Sequence, residues 1–175
     1  IMVGIGTVLA DDPLLTVRLQ GEYQQPLRVI VDSSLRIPET SWLVRTALEV
    51  PTVVAAIKGR YSEARRAELE RMGLEILGLP AVQGRVDLLT LMKELGKRDI
   101  TSLLLEGGST LNASALKAGI IDKFVLFQAP LIIGGQESPG VFGGMGCERL
   151  RDCLHLAQTS VQKVGDDLMI IAYPK

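Results

Sequence analysis

The stretch LLLEGGSTLNAS (Leu103–Ser114) decides the fold class. Thr101–Leu105, apolar at Leu103 to Leu105, reads as a strand that ends in Glu106, and Glu106-Gly107-Gly108 make a turn. Ser109 and Thr110 then open a helix predicted over Ser109–Ala118, closed by Gly119. A strand that passes through a glycine turn into a helix is the repeating unit of α/β sheets, whose ligands gather at the carboxyl ends of strands. The same residues make a candidate anion site. The glycine pair lets a phosphate approach the backbone, and the helix start offers free N–H groups and the positive end of a dipole. The pattern equally suits an ordinary tight turn with a serine cap. It is not a P-loop, because no Gly-Lys-Ser/Thr follows.

Outward from this unit, the chain keeps alternating. Upstream, Asp87–Lys97 carries Leu88, Leu91, Met92 and Leu95 at i, i+3, i+4 and i+7, one apolar helix stripe. Ser62 reads as the N-cap of a helix reaching Met72 and closed by Gly73, with a mixed-charge, solvated face that includes Arg65. Leu74–Leu79, Thr52–Ile57, Leu27–Val31 and Ile1–Val3 read as strands. Gly4-Ile5-Gly6 is predicted as a tight turn, followed by one helical turn at Thr7–Ala10 that Pro13 stops. Residues 35–50 are expected to be irregular, with Trp42 in the core. Downstream, Lys123–Ala129 is a strand stopped by Pro130. Residues 134–146, with six glycines and Pro139, are a loop. His155–Val164 and Leu168–Tyr173 flank Gly165-Asp166-Asp167 as an antiparallel hairpin. The fold class is therefore α/β: a mostly parallel sheet with flanking helices and an antiparallel C-terminal hairpin, in one domain over 1–175.

Composition narrows the function classes. With 175 residues, 47% hydrophobic and 22% charged, the chain can bury a core and is not disordered. A net charge of −1 excludes a broadly basic nucleic-acid binder and leaves room for local anion sites. His155, Cys147 and Cys153 form no CxxC or HxxxH pair, so no metal site and no disulfide framework are expected, and a cytoplasmic location is. Apolar runs of about six residues are too short to span a membrane, and no signal peptide is visible.

Two further segments could carry chemistry. In GIGTVLADDPLLTVR (Gly4–Arg18), Gly4-x-Gly6 resembles the start of a dinucleotide fingerprint, but the third glycine is replaced by Leu9. Pro13, Gly21 and Pro26 leave no crossover helix before the next strand, so a Rossmann unit is excluded. What remains is a glycine turn with Asp11, Asp12 and Arg18. In Asp32-Ser33-Ser34-Leu35-Arg36, hydroxyls and a guanidinium suit an anion such as a 2′-phosphate, and also suit a plain strand-ending turn.

GTVLADDPLLTVR, VIVDSSLRIP and LLLEGGSTLNASALKAGIIDKFVLFQAPLIIGG occur in one order, and together they resemble the reductase domain of the bifunctional riboflavin-biosynthesis deaminase/reductases. The resemblance covers nearly the whole chain. It implies a dihydrofolate-reductase-like fold, NADPH as cofactor, and reduction of 5-amino-6-(5-phosphoribosylamino)uracil to its ribitylamino product. It also implies a homodimer fused to a deaminase domain. Carried over by position, it implies NADP contacts at Thr7, Asp11 and Ser33, and at Gly108, Ser109, Thr110, Leu111, Asn112, Ala113 and Ser114. Substrate contacts fall on Leu15, Arg18 and Glu106, with Glu106 the first candidate for proton transfer and Asp11 the second. The family has a strand and a helix ahead of the segment equivalent to Ile1, carrying a Ser, a Trp and an Arg that complete the site, and the unit here is expected to lack them. The alternatives are another NADP-dependent reductase of this fold acting on a different pterin- or pyrimidine-like substrate, and a non-catalytic nucleotide-binding module.

Overall fold

The computed structural model describes residues 1–135, 138 and 140–175; Pro139, read above as part of the glycine-rich loop, lies outside the described residues. The elements run β1 (Met2–Gly4), α1 (Ile5–Asp11), β2 (Arg28–Val31), α2 (Trp42–Arg45), β3 (Thr52–Ile57), α3 (Glu63–Arg71), β4 (Glu75–Leu79), β5 (Ala81–Val82) and β6 (Arg85–Val86). They continue through α4 (Leu88–Gly96), α5 (Ser109–Lys117), β7 (Phe124–Gln128), β8 (Leu156–Val164) and β9 (Asp167–Pro174). Strands β1 to β4 lie side by side in sequence order, all parallel. Strands β7, β9 and β8 form a separate antiparallel sheet with β9 in the middle, and β5–β6 is a small hairpin.

Side-chain alternation splits the parallel sheet between two cores. Val3, Ile30, Val54, Ala56 and Ile76 point to one face, against Val8 of α1, Leu43 and Val44 of α2 and Leu69 of α3. Met2, Val29, Ala55 and Ile57 point to the other, against Leu88, Leu91 and Leu95 of α4 and Leu111 and Ala115 of α5. Side chains carry two helix starts: Ser62 Oγ, the cap read from the sequence, accepts from Arg65 N, and Asp87 Oδ1 accepts from Leu89 N and Thr90 N.

Four expectations are corrected. Gly4-Ile5-Gly6 is not a turn: β1 runs straight into α1, because Ile5 and Val8 bury on one helix face. Residues 35–50 contain α2, which turns Leu43 and Val44 inward and leaves Trp42 outward, 45% exposed, with the Arg45 guanidinium over its ring at 4.9 Å. Thr101–Leu105 bridges its neighbour only at Leu105, opposite Met2; Met2 N donates to Leu104 O at 2.8 Å and Glu106 N to Met2 O at 2.9 Å. The three-residue β1 offers no longer ladder. Arg65 is not merely solvated: it donates to Leu35 O, Ile37 O and Glu68, and pairs with Glu39, fastening the loop after β2.

Arg28 hides inside the strand read as apolar. Its side chain is fully buried with no carboxylate partner among the described residues, and burial lowers its pKa. Nε donates to Thr52 Oγ1 at 2.9 Å, Nη1 to Leu14 O at 3.1 Å and Thr46 Oγ1 at 2.8 Å, and Nη2 to Leu43, Thr46 and Val50 carbonyls at 3.0–3.2 Å. One guanidinium thus ties β2 to α2, to the start of β3 and to the 12–18 segment. No helix among the described residues is long and apolar enough to cross a membrane.

Candidate functional site

Parallel pairing brings the three sequence segments to one sheet end. Gly4 stands opposite Val31 in the β1–β2 ladder, so Thr7 on α1 and Ser33 after β2 emerge side by side. The Glu106 amide is held on Met2 O, which brings Glu106-Gly107-Gly108 to the same edge. Glycine is required there: Gly107 has φ 81°, and a Cβ on it would lie 3.1 Å from Thr7 Oγ1. Gly108, at φ 77°, is the N-cap of α5 and supplies no capping side chain. The first amides of α5 (Ser109, Thr110, Leu111) therefore have no intrahelical partner and face the cleft.

Two cavities flank the Gly107-Gly108 turn. The smaller, about 410 Å³, is lined by Gly4 to Thr7, Ser33, Arg36, Arg85, Gly108 to Leu111 and Ser114. The larger, about 1010 Å³, lies between Leu103–Leu105 and β7, with Glu106 and Asn112 on its wall and Phe124 to Phe127 and Phe142 opposite. Glu106 is exposed at its rim.

The structure thus gathers Thr7, Ser33, Gly108, Ser109, Thr110, Leu111 and Ser114 around one cavity, and Glu106 and Asn112 around its neighbour. Asp11, Leu15, Arg18 and Ala113 line neither. Asp11 is exposed at the end of α1 and Arg18 is exposed in the following loop. Leu15 packs on the first core with φ 51°, a left-handed conformation costly for a branched side chain. The preceding turn is anchored where Asp12 Oδ1 accepts from Trp42 N at 2.9 Å.

Two site features escaped the sequence reading. Arg85 lies 29 residues before Ser114 and gave no motif, yet its Nη1 donates to Ser114 Oγ at 2.9 Å and Thr110 O at 3.3 Å. The glycine-rich loop docks on α5: Gly143 N donates to Ser109 O at 2.9 Å and Asn112 Nδ2 to Val141 O at 2.9 Å. Phe142 meets Phe124 edge-on, with centroids 5.9 Å apart. Gly143 is small for a reason, since a Cβ there would lie 3.1 Å from Ser109 Oγ. Among the described residues, no group of three or more His, Cys, Asp or Glu could hold a metal ion.

Fold and site together define an α/β domain with an anion-receptive cleft at the carboxyl ends of its parallel strands. The chain belongs to the RibD C-terminal domain family, which matches residues 1–170. It is 38% identical over 170 residues to the riboflavin biosynthesis protein RibD of Actinobacillus pleuropneumoniae, covering 97% of this chain and 44% of that protein. It is 38% identical over 172 residues to the 2,5-diamino-6-ribosylamino-4(3H)-pyrimidinone 5′-phosphate reductase of Methanothermobacter thermautotrophicus, covering 97% of this chain and 77% of that one. Acinetobacter baumannii RibD superposes with a TM-score of 0.79 at 28% identity, over 99% of this chain and 46% of that one. The chain spans a little under half the length of the first curated relatives it matches (44% and 46%).

Proposed function

We propose that this chain is the reductase unit of riboflavin biosynthesis, reducing 5-amino-6-(5-phosphoribosylamino)uracil to the ribitylamino product with NADPH. The observation that carries this reading is the single cavity shared by the uncapped start of α5, the Gly107-Gly108 turn, Thr7 and Ser33, with Glu106 on the adjoining rim. The name of the archaeal relative supports the substrate class, a ribosylaminopyrimidine 5′-phosphate, and the name of the bacterial one supports a place in riboflavin biosynthesis.

The residues present fit a phosphorylated dinucleotide. The free amides of Ser109, Thr110 and Leu111 suit a diphosphate, the glycine turn lets it approach the backbone, and the hydroxyls of Thr7 and Ser33 add polar contacts. When bound, the reduced nicotinamide supplies the hydride. In the proposed reaction the bond from C1′ to the ribose ring oxygen breaks, that oxygen takes a proton, and C1′ becomes doubly bonded to nitrogen before it is reduced. The protein's part is to hold C1′ against the cofactor and to manage the proton. Glu106 is assigned contact with the substrate and transfer of that proton, and Asn112, fixed on Val141 O, holds the far wall in shape. Leu15 and Arg18 are assigned to the substrate, with Arg18 on its phosphate, and Asp11 and Ala113 to the cofactor. NADPH oxidation that requires the phosphoribosylaminouracil tests the reading; no nicotinamide nucleotide binding at all would overturn it.

Arg18→Ala should raise the substrate KM about 10- to 100-fold, the loss of one charge-assisted phosphate contact, while the NADPH Kd stays within about twofold. Steady-state kinetics paired with cofactor titration would detect a merely structural Arg18 as equal losses in both.

The unit is further proposed to take a strand and a helix ahead of Ile1, with the strand seated in the larger cavity. Two β edges without partners on that side among the described residues, Leu103–Leu105 and β7, line opposite walls of that apolar cleft, which supports the fit. A chain extended to include that segment should melt several degrees higher and protect the β7 amides from hydrogen exchange; unchanged melting and exchange would contradict it. A homodimer is supported by apolar side chains exposed on the antiparallel sheet, Val125 and Phe127 on one face and Val161 and Leu168 on the other. A deaminase unit in the same polypeptide and a cytoplasmic location complete the proposal.

A further inference from the structure

We infer that Arg85, on the β5–β6 hairpin, and Arg36, after β2, form a clamp on the 2′-phosphate of the cofactor and so determine the choice of NADPH over NADH. This deepens the reading above and rests on it.

Alternation fixes where Arg85 points. Val86 is buried in the second core, so its neighbour Arg85 faces outward, onto the cavity that Ser33 and α5 also line. The hairpin holding it is braced from two sides: Lys117 Nζ of α5 donates to Gln83 Oε1 at 2.9 Å, and Arg60 Nη1 donates to Gly84 O at 2.8 Å. Arg85 itself is fastened through Nη1 alone, to Ser114 Oγ and Thr110 O. Its Nε and Nη2 have no partner among the described residues, and no carboxylate there pairs with it. A guanidinium held by one nitrogen in the lining of a cavity, with its remaining donors unpartnered among the described residues and its charge unbalanced there, suits an anion.

The strand-end carboxylate makes the same point from the other side. In dinucleotide sites an acid just after a strand favours an unphosphorylated ribose by binding its 2′-hydroxyl, whereas an arginine nearby admits a 2′-phosphate. Here Asp32 is fully buried and turned inward: Oδ2 accepts from Ile37 N at 2.8 Å and Oδ1 from Ser34 N at 3.4 Å. It cannot reach a ribose diol in the cavity. It draws Arg36 Nε to 3.8 Å instead, while the Arg36 side chain stays 60% exposed and lines the cavity. Ser33, between Asp32 and Arg36, lines it too. Two guanidinium groups from separate elements therefore line the one cofactor cavity, and none of its lining residues is an acid that would repel a dianion.

Titrations of the native chain and of R85A, R36A and the double variant with NADPH, NADH, 2′,5′-ADP and 5′-AMP test this. R85A is expected to weaken NADPH and 2′,5′-ADP binding at least tenfold and to leave NADH and 5′-AMP within twofold. R36A should act in the same direction, and the double variant should bind both cofactors alike. R85K, which keeps the charge but loses the fork, should fall between, and matched melting temperatures would show that the fold is kept. Equal weakening of phosphorylated and unphosphorylated nucleotides would make Arg85 a strut for the hairpin and overturn the clamp. Unchanged NADPH binding in both single variants would overturn it as well. A native chain that binds neither cofactor would overturn the dinucleotide reading itself, a result distinct from the other two.

Discussion

Glu106→Gln is expected to reduce turnover about 100- to 10,000-fold, the contribution of a positioned proton-transfer group, while NADPH binds as before. Glutamine preserves the shape of the side chain and one acceptor oxygen, and removes its ability to carry a proton and a charge. The substitution should cost little stability. The side chain is exposed, and the backbone of residue 106 is held through its amide on Met2 O, which the change does not touch. Cofactor affinity should survive because the cavity offered to the diphosphate is built from α5 amides and the Gly107-Gly108 turn, and Glu106 lies on the wall of its neighbour. Turnover that stays at the native level would remove Glu106 from the chemistry. A parallel fall in NADPH affinity would make it a determinant of the glycine turn instead.

Arg28→Ala is expected to destabilise the fold by about 3–5 kcal/mol, the combined effect of a core cavity and of buried acceptors that lose their donor. Four backbone carbonyls, of Leu14, Leu43, Thr46 and Val50, accept from this one guanidinium. Alanine would leave a void from which the Leu14 and Leu43 carbonyls lose this donor, while Val50 O keeps Thr52 Oγ1 and Thr46 O keeps the amides of Glu49 and Val50. A domain of this size loses roughly 2–4 °C of melting temperature per kcal/mol, so a fall of about 10–15 °C should follow. Arg28→Lys should recover part of it, since an ammonium has three donors and no planar fork. The Leu14 bond adds a consequence at the site. With Arg28 gone, the segment bearing Leu15 and Arg18 loses a fixed point, and substrate KM should rise even in the fraction that stays folded. Melting within a few degrees of the native protein would show that the carbonyls find other partners.

The parallel strands were legible because burial on both faces makes each a run of aliphatic and β-branched residues, as in Thr52–Ile57. Helix α3 was legible from its cap, Ser62, and α4 from its stripe of Leu88, Leu91, Met92 and Leu95. The turn at Gly107-Gly108 was legible because only glycine tolerates its backbone there. Other features were hidden by the nature of the interactions. Arg28 sits in the strand Arg28–Val31, and nothing local signals that its partners lie 14 to 24 residues away. Arg85 joins the cavity only because a two-residue strand turns it toward α5. Trp42 was expected inside on hydrophobicity alone, but a short helix has one inward face, and Leu43 and Val44 occupy it. The glycine-rich stretch read only as a loop, yet Val141 to Gly143 follow the surface of α5 closely enough that a side chain at residue 143 would crowd Ser109.

The central claim is that the cleft brings a reduced nicotinamide against C1′ of a phosphoribosylaminopyrimidine. Incubating the protein with 5-amino-6-(5-phosphoribosylamino)uracil and NADPH deuterated at the transferable C4 position, then locating the label by mass spectrometry and NMR, tests it directly. A ribitylamino product carrying deuterium at C1′ is the expected result. A product without the label, or oxidation of the cofactor that proceeds equally without the pyrimidine, would contradict it.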